Sequence, residues 1–218
     1  MDIARYIDHT LLRANASESE VIKLCKEAVE NNFYSVCVNP RWIPLCQKEV
    51  KGTNTLPITV VGFPLGANDL LIKSKEASLA IDQGAKEIDM VIDLQHALAH
   101  EWKKVEEEIK SLNKICGSIP LKVIIETAYL SPDEIKECSK CCLFSGAAFV
   151  KTSTGFAPTG AKEEDIRMIK EIVHPNLGIK ASGGIKTLSD AERMIRAGAT
   201  RIGCSASLAI LKEWKETQ

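Results

Sequence analysis

Short apolar runs rich in β-branched residues alternate along this chain with longer stretches whose apolar positions recur every three to four residues. The runs cover 6–10, 35–38, 58–61, 87–92, 121–125, 148–152, 178–181 and 201–203. Between and after them the helical period predicts helices over 17–28, 41–50, 68–83, 97–115, 132–142, 162–173, 188–196 and 205–214. Several ends carry their own signals. Ser17 and Glu20 have the form of a capping box. Pro132 suits a first helical turn, and Gly84 and Gly198 stand just past helices, as C-terminal caps do.

Eight strands with continuous apolar cores, each followed by a helix, predict a parallel sheet covered by helices. Eight such units within 218 residues suit a compact (β/α)8 TIM barrel, an α/β fold built as a single domain over 1–218. A doubly wound open sheet is the alternative, but its G-x-G-x-x-G fingerprint after the first strand is absent. A barrel directs the search for function to the C-terminal strand ends, where loops build the site.

Composition narrows the setting. With net charge −1 and pI near 6.4, no field draws the chain toward nucleic acid or anionic lipid. No stretch approaches the roughly 18 uncharged apolar residues needed to cross a bilayer. The start, Met1-Asp2-Ile3-Ala4-Arg5, lacks a basic-then-apolar signal pattern. A cytoplasmic protein with neither membrane nor nucleic-acid partner is expected. The 8 cysteines then read as reduced thiols. Cys138, Cys141 and Cys142 share a predicted helix face, yet a structural zinc site usually takes four ligands and no second Cys or His pair is near. No metal is expected.

Lys151 and Lys180 are the leading candidates for chemistry. They stand 29 residues apart, in Phe149-Val150-Lys151-Thr152 and Gly178-Ile179-Lys180-Ala181. One helical crossover takes roughly 30 residues, so their strands are expected to be parallel neighbours. Two ammonium groups roughly 6 Å apart repel by about 2.8 kcal/mol at an effective dielectric near 20. That repulsion can lower the pKa of one amine so that it attacks a carbonyl. A solvated or snorkelling side chain is the ordinary alternative for a strand-end lysine.

Asp89 comes next. Strand alternation turns Glu87, Asp89 and Val91 to one face, and a carboxylate inside a barrel needs a cationic partner. It serves either as a buried ion partner or as a base in a proton relay. Asp8, on the first strand, raises the same question. Glycine-containing turns follow the last three strands at Ser153-Thr154-Gly155, Ser182-Gly183-Gly184 and Gly203-Cys204-Ser205. Backbone N–H groups in such turns, with a helix N-terminus, make an anion site where barrels often bind phosphate.

Longer motifs carry a family resemblance. Ile7-Asp8-His9-Thr10-Leu11-Leu12, Val36-Cys37-Val38-Asn39-Pro40, Val61-Gly62-Phe63-Pro64-Leu65-Gly66 and Glu87-Ile88-Asp89-Met90-Val91-Ile92 resemble those of deoxyribose-phosphate aldolases. So do Lys122-Val123-Ile124-Ile125-Glu126-Thr127 and the two lysine motifs, in order and over nearly the whole chain. The resemblance implies a class I aldolase without metal or cofactor. Its reaction is reversible cleavage of 2-deoxy-D-ribose 5-phosphate to acetaldehyde and D-glyceraldehyde 3-phosphate. It implies Lys151 as the Schiff-base lysine, Lys180 as the neighbour that depresses its pKa, and Asp89 as an acid working with a bound water. Asp8, Thr154, Gly155, Gly183, Gly184 and Ser205 become substrate or phosphate contacts, and Cys37, after the second strand, a pocket residue. A homodimer or homotetramer is implied.

Two features depart from the family pattern. The last strand continues Gly203-Cys204-Ser205-Ala206-Ser207, so one phosphate hydroxyl is missing or moved to Ser207. Tyr129 is the last tyrosine, which leaves water to do the work of the C-terminal tyrosine of some relatives. Two other functions remain as alternatives: a Schiff-base aldolase for another phosphosugar, and a noncatalytic barrel that binds sugar phosphates.

Overall fold

All eight apolar runs are strands. In the computed structural model, which describes residues 2–218, they are β1 (Ile7–Leu11), β2 (Ser35–Val38), β3 (Leu56–Val61), β4 (Ile88–Val91), β5 (Leu121–Ile124), β6 (Phe149–Lys151), β7 (Gly178–Ser182) and β8 (Arg201–Cys204). Each pairs in parallel with the next, and β8 returns to β1, closing a single-domain (β/α)8 barrel with no free strand edge.

Strand alternation divides the molecule into two cores. Outward residues such as Val36, Ile88, Met90, Leu121, Val123, Val150 and Ile202 pack against the helices in one continuous apolar shell. Each fully buried side chain of this kind contributes about 1.5–3 kcal/mol. Inside the barrel, Cys37, Ile58 and Val60 make a small apolar cluster on the β2–β3 side. Most of the remaining inward side chains are charged. The register carries Glu87 and Asp89, Lys122, Phe149 and Lys151, Gly178 and Lys180, and Arg201 to the inner face. Gly178 stands beside Phe149, and a Cβ there would lie 2.3 Å from the ring, so glycine makes room for it.

Helices α1 (Glu18–Glu30), α2 (Ile43–Glu49), α3 (Leu70–Asp82), α4 (Leu94–Leu98), α5 (Trp102–Cys116), α6 (Pro132–Phe144), α7 (Glu163–Val173), α8 (Leu188–Ala197) and α9 (Ser207–Glu216) wrap the barrel. Capping boxes Ser17/Glu20, Ser131/Glu134 and Thr187/Asp190 start α1, α6 and α8. The helix expected over 97–115 is two helices. His100 takes φ 57°, which no α-helix accommodates, and its ring stacks on Trp102 at 5.3 Å. Short 3-10 turns precede β1 and α2, at Ile3–Tyr6 and Pro40–Trp42. Among the described residues no helix is long and apolar enough to cross a membrane. All eight cysteines are buried and free, and no group of His, Cys, Asp and Glu among the described residues could hold a metal ion.

Candidate active site

Six charged side chains on the inner strand faces join in a ring of alternating sign. Lys180 Nζ lies 2.5 Å from Asp8 Oδ2 and 2.7 Å from Asp89 Oδ2. Asp89 Oδ1 accepts from Lys122 Nζ at 2.7 Å, and Lys122 Nζ lies 2.6 Å from Glu87 Oε2. Arg201 Nη1 closes the ring, donating at 3.0 Å to both Glu87 Oε2 and Asp8 Oδ1. Lys151 joins from outside it, donating to Asp89 Oδ2 at 2.8 Å. All seven are buried, none more than 5% exposed. Tyr34 and Phe149 seal one side, with the Arg201 guanidinium 3.4 Å from the Tyr34 ring centre.

Burial and charge pull these groups in opposite directions. Desolvation works against the ionised form of Asp89, but Lys122, Lys151 and Lys180 outweigh it and hold its carboxyl well below the usual range. Asp8 is likewise held low, its desolvation outweighed by Lys180 and Arg201. Burial disfavours the Lys180 ammonium, yet Asp8 and Asp89 together raise its pKa well above the ordinary lysine value. Lys151 has only Asp89. Burial lowers its pKa, and Lys180 lowers it further against the pull of Asp89. The expectation from spacing gave the repulsion by Lys180 the leading role; desolvation is the larger cause, and the Asp89 oxygen within hydrogen-bond reach of both amines works against it.

Above the ring a cleft of about 440 Å³ opens at the C-terminal strand ends. Lys151, alone of the seven ring-associated charges, lines it. Thr154, Gly155, Gly183, Gly184 and Ser205 line it too, as expected from the glycine turns. Gly183 and Gly184 hold φ 85° and 78°, a conformation that side chains resist, which turns the loop around the cleft. The Thr154 hydroxyl and N–H both bind the Glu126 carboxylate, fixing the β6 loop. Phe63 and Phe156 meet edge to face at 5.3 Å, and Phe156 reaches the cleft wall.

The structure places three of the expected residues away from the open cleft. Asp8 is fully buried, paired with Lys180 and Arg201, and lies outside the cleft lining, where the expectation had it among the substrate contacts. Cys37 lies within β2 rather than after it, 1% exposed, and burial pushes its thiol up. Ser207 cannot replace a missing phosphate hydroxyl. It is fully buried, 2.9 Å from His9 Nδ1, and donates to the Cys204 carbonyl.

Sequence reading also missed residues that matter here. Lys122 and Arg201 complete the ring, and each was visible as a charge in an apolar strand. Arg13 and Lys186 line the cleft from loops, where one sequence offers no signal. Ser182 lines it with a buried hydroxyl that has no hydrogen-bond partner. With Lys151, the cleft therefore carries three cationic side chains and no carboxylate, a charge suited to an anionic ligand.

An eight-stranded barrel whose C-terminal mouth holds one desolvated lysine over a buried carboxylate belongs with carbonyl-handling barrel enzymes. Comparison with known proteins makes the class specific. Residues 3–213 match the family described as DeoC/LacD family aldolase. The chain is 48% identical to a deoxyribose-phosphate aldolase of Mannheimia succiniciproducens, over 97% of this chain and 94% of that one. Another, from Caldanaerobacter subterraneus, is 47% identical over 99% and 95%. Among solved structures, one described as "QR15, an Aldolase" superposes with a TM-score of 0.95 at 39% identity, covering 99% of this chain and 97% of that one. A tetrameric deoxyribose phosphate aldolase from Aeropyrum pernix gives 0.92 at 30%, covering 99% and 92%. The chain belongs to the DeoC/LacD aldolase family and is an aldolase, a carbon–carbon lyase.

Proposed function

We propose that this enzyme reversibly cleaves 2-deoxy-D-ribose 5-phosphate to acetaldehyde and D-glyceraldehyde 3-phosphate through a Schiff base on Lys151. The observation that carries the reading is that Lys151, the least compensated of the buried amines, is the one that reaches the cleft. A lysine with lowered pKa supplies the free amine that carbonyl attack requires. Lys180, with its pKa raised by Asp8 and Asp89, stays an ammonium beside it and donates a proton.

In this account the Lys151 amine adds to the C1 aldehyde, and water leaves to give an iminium. That iminium accepts the electron pair of the C2–C3 bond once the C3 hydroxyl loses its proton. D-glyceraldehyde 3-phosphate departs, the enamine takes a proton at C2, and hydrolysis of the imine releases acetaldehyde. Asp89 does not line the cleft, so its part in moving the C3 proton runs through a lysine or a water. Arg13, Lys186, the unpartnered Ser182 hydroxyl and the glycine turns support a site for the 5-phosphate. Assembly as a dimer or tetramer is supported by the exposed apolar residues Leu65, Leu71, Ile72 and Leu79 and by the tetrameric Aeropyrum pernix relative. The enzyme is read as cytoplasmic and free of metal and cofactor.

The test is to incubate the protein with 2-deoxy-D-ribose 5-phosphate and follow both aldehydes. The expected result is equal yields of the two, reduced to background in Lys151→Ala. Turnover of a different phosphosugar, with none of this one, would move the assignment to another Schiff-base aldolase. Binding without turnover would favour a noncatalytic barrel.

A further inference from the structure

The ring of Asp8, Lys180, Asp89, Lys122, Glu87 and Arg201 is balanced. Each cation bridges two carboxylates and each carboxylate two cations. Three negative and three positive charges cancel without Lys151, which attaches at Asp89 alone. In a buried cluster, an unmatched charge is the one whose loss most relieves the group. Arg201 stands diametrically opposite Asp89 in the ring, and Glu87 is its neighbour on the Lys122 side. Neither lines the cleft nor bonds to Lys151.

We propose that Glu87 and Arg201, on the far side of the ring, are positioning residues that set the charge balance around Lys151 and so govern when its amine is free to attack. The proposal rests on the reading of Lys151 as the imine-forming lysine. Facing that amine are Asp89 from β4, Lys180 from β7, the Cys37 thiol from β2 and Glu126 from the turn after β5. Burial keeps the thiol neutral, and Glu126 is engaged with Thr154. None of these four changes in the variants below.

Removing either far-side charge has opposite consequences. Arg201→Met leaves three carboxylates against two cations. Lys151 then supplies the missing charge and keeps its proton to higher pH. Glu87→Gln leaves two carboxylates against three cations. Lys151 becomes a second surplus charge and gives up its proton at lower pH. Each midpoint shift is about one pH unit, as expected of a unit charge roughly 10 Å away at an effective dielectric near 20. The double variant Glu87→Gln/Arg201→Met restores balance, and Arg201→Lys never disturbs it.

The experiment measures the rate at which acetaldehyde is trapped on the full-length protein by cyanoborohydride, between about pH 6 and 10, where a lysine of lowered pKa titrates. Peptide mapping reports the adduct at Lys151, and circular dichroism confirms the fold of each variant. The expected result is a midpoint raised in Arg201→Met, lowered in Glu87→Gln, and restored in the double variant and in Arg201→Lys. Shifts in the same direction, or an unmoved midpoint in either single variant, would overturn the proposal. Should Arg201→Met not fold, Glu87→Gln against the charge-preserving Glu87→Asp carries the same sign test. Absence of any Lys151 adduct in the unaltered protein sinks the Schiff-base reading instead, so the two failures are distinct.

Discussion

Asp89 offers two oxygens to three ammonium groups, Lys122, Lys151 and Lys180, with no exposure to water. Its role cannot be taken by a neutral side chain, because an amide has one acceptor oxygen and no charge. Asp89→Asn is expected to lower kcat by about 10²–10⁴-fold, the usual span for a group that moves or holds a proton. Steady-state assay of the purified variant checks this, and a change smaller than tenfold would contradict it. The residue itself was readable from sequence, since alternation along β4 turned Glu87 and Asp89 inward. Its partners were only half readable. Lys151 declared itself by its strand-end position and Lys180 by its spacing from Lys151, although Lys180 stands mid-strand in β7, whereas Lys122 required the register that sets it beside Asp89.

The glycine turns act together at the level of elements. The loop after β6 lies directly on the loop after β7. Ala161 N–H donates to the Ser182 and Gly183 carbonyls at 3.0 and 3.1 Å. A Cβ on Gly160 would sit 2.2 Å from the Gly183 carbonyl oxygen, so only glycine allows this approach. Gly160→Ala therefore displaces the turn that lines the cleft while leaving Lys151 in place. The expected result is a KM for the phosphorylated sugar raised about tenfold, the worth of one hydrogen bond to a charged group, with kcat within twofold. Kinetics on phosphorylated and unphosphorylated sugars separate this from a general loss, which would affect both equally. Sequence alone shows Gly160 as one more loop glycine, since two loops meeting across a barrel mouth leave no local pattern. The division of 97–115 into α4 and α5 was hidden for a related reason. Apolar spacing runs on through the break, and only the left-handed His100 interrupts it.

Across the whole molecule, strand alternation keeps an apolar shell outside the barrel and a charged cluster within it. The outer shell was legible, because its residues repeat on every strand with a period of two. The inner ring was not, because its six members come from five strand segments and meet only when the barrel closes: Asp8 and Arg201 are 193 positions apart in sequence. Closure makes the chemistry possible. It removes the amines from water, cancels all but one of their charges, and leaves Lys151 at the open end.

Borohydride trapping with acetaldehyde, followed by peptide mass mapping, is the decisive measurement for a Schiff base on Lys151. One ethyl adduct is expected, on Lys151, lost in Lys151→Ala. An adduct mainly on Lys180 would reverse the roles of the two lysines, and no site-selective adduct would contradict a Schiff-base mechanism altogether.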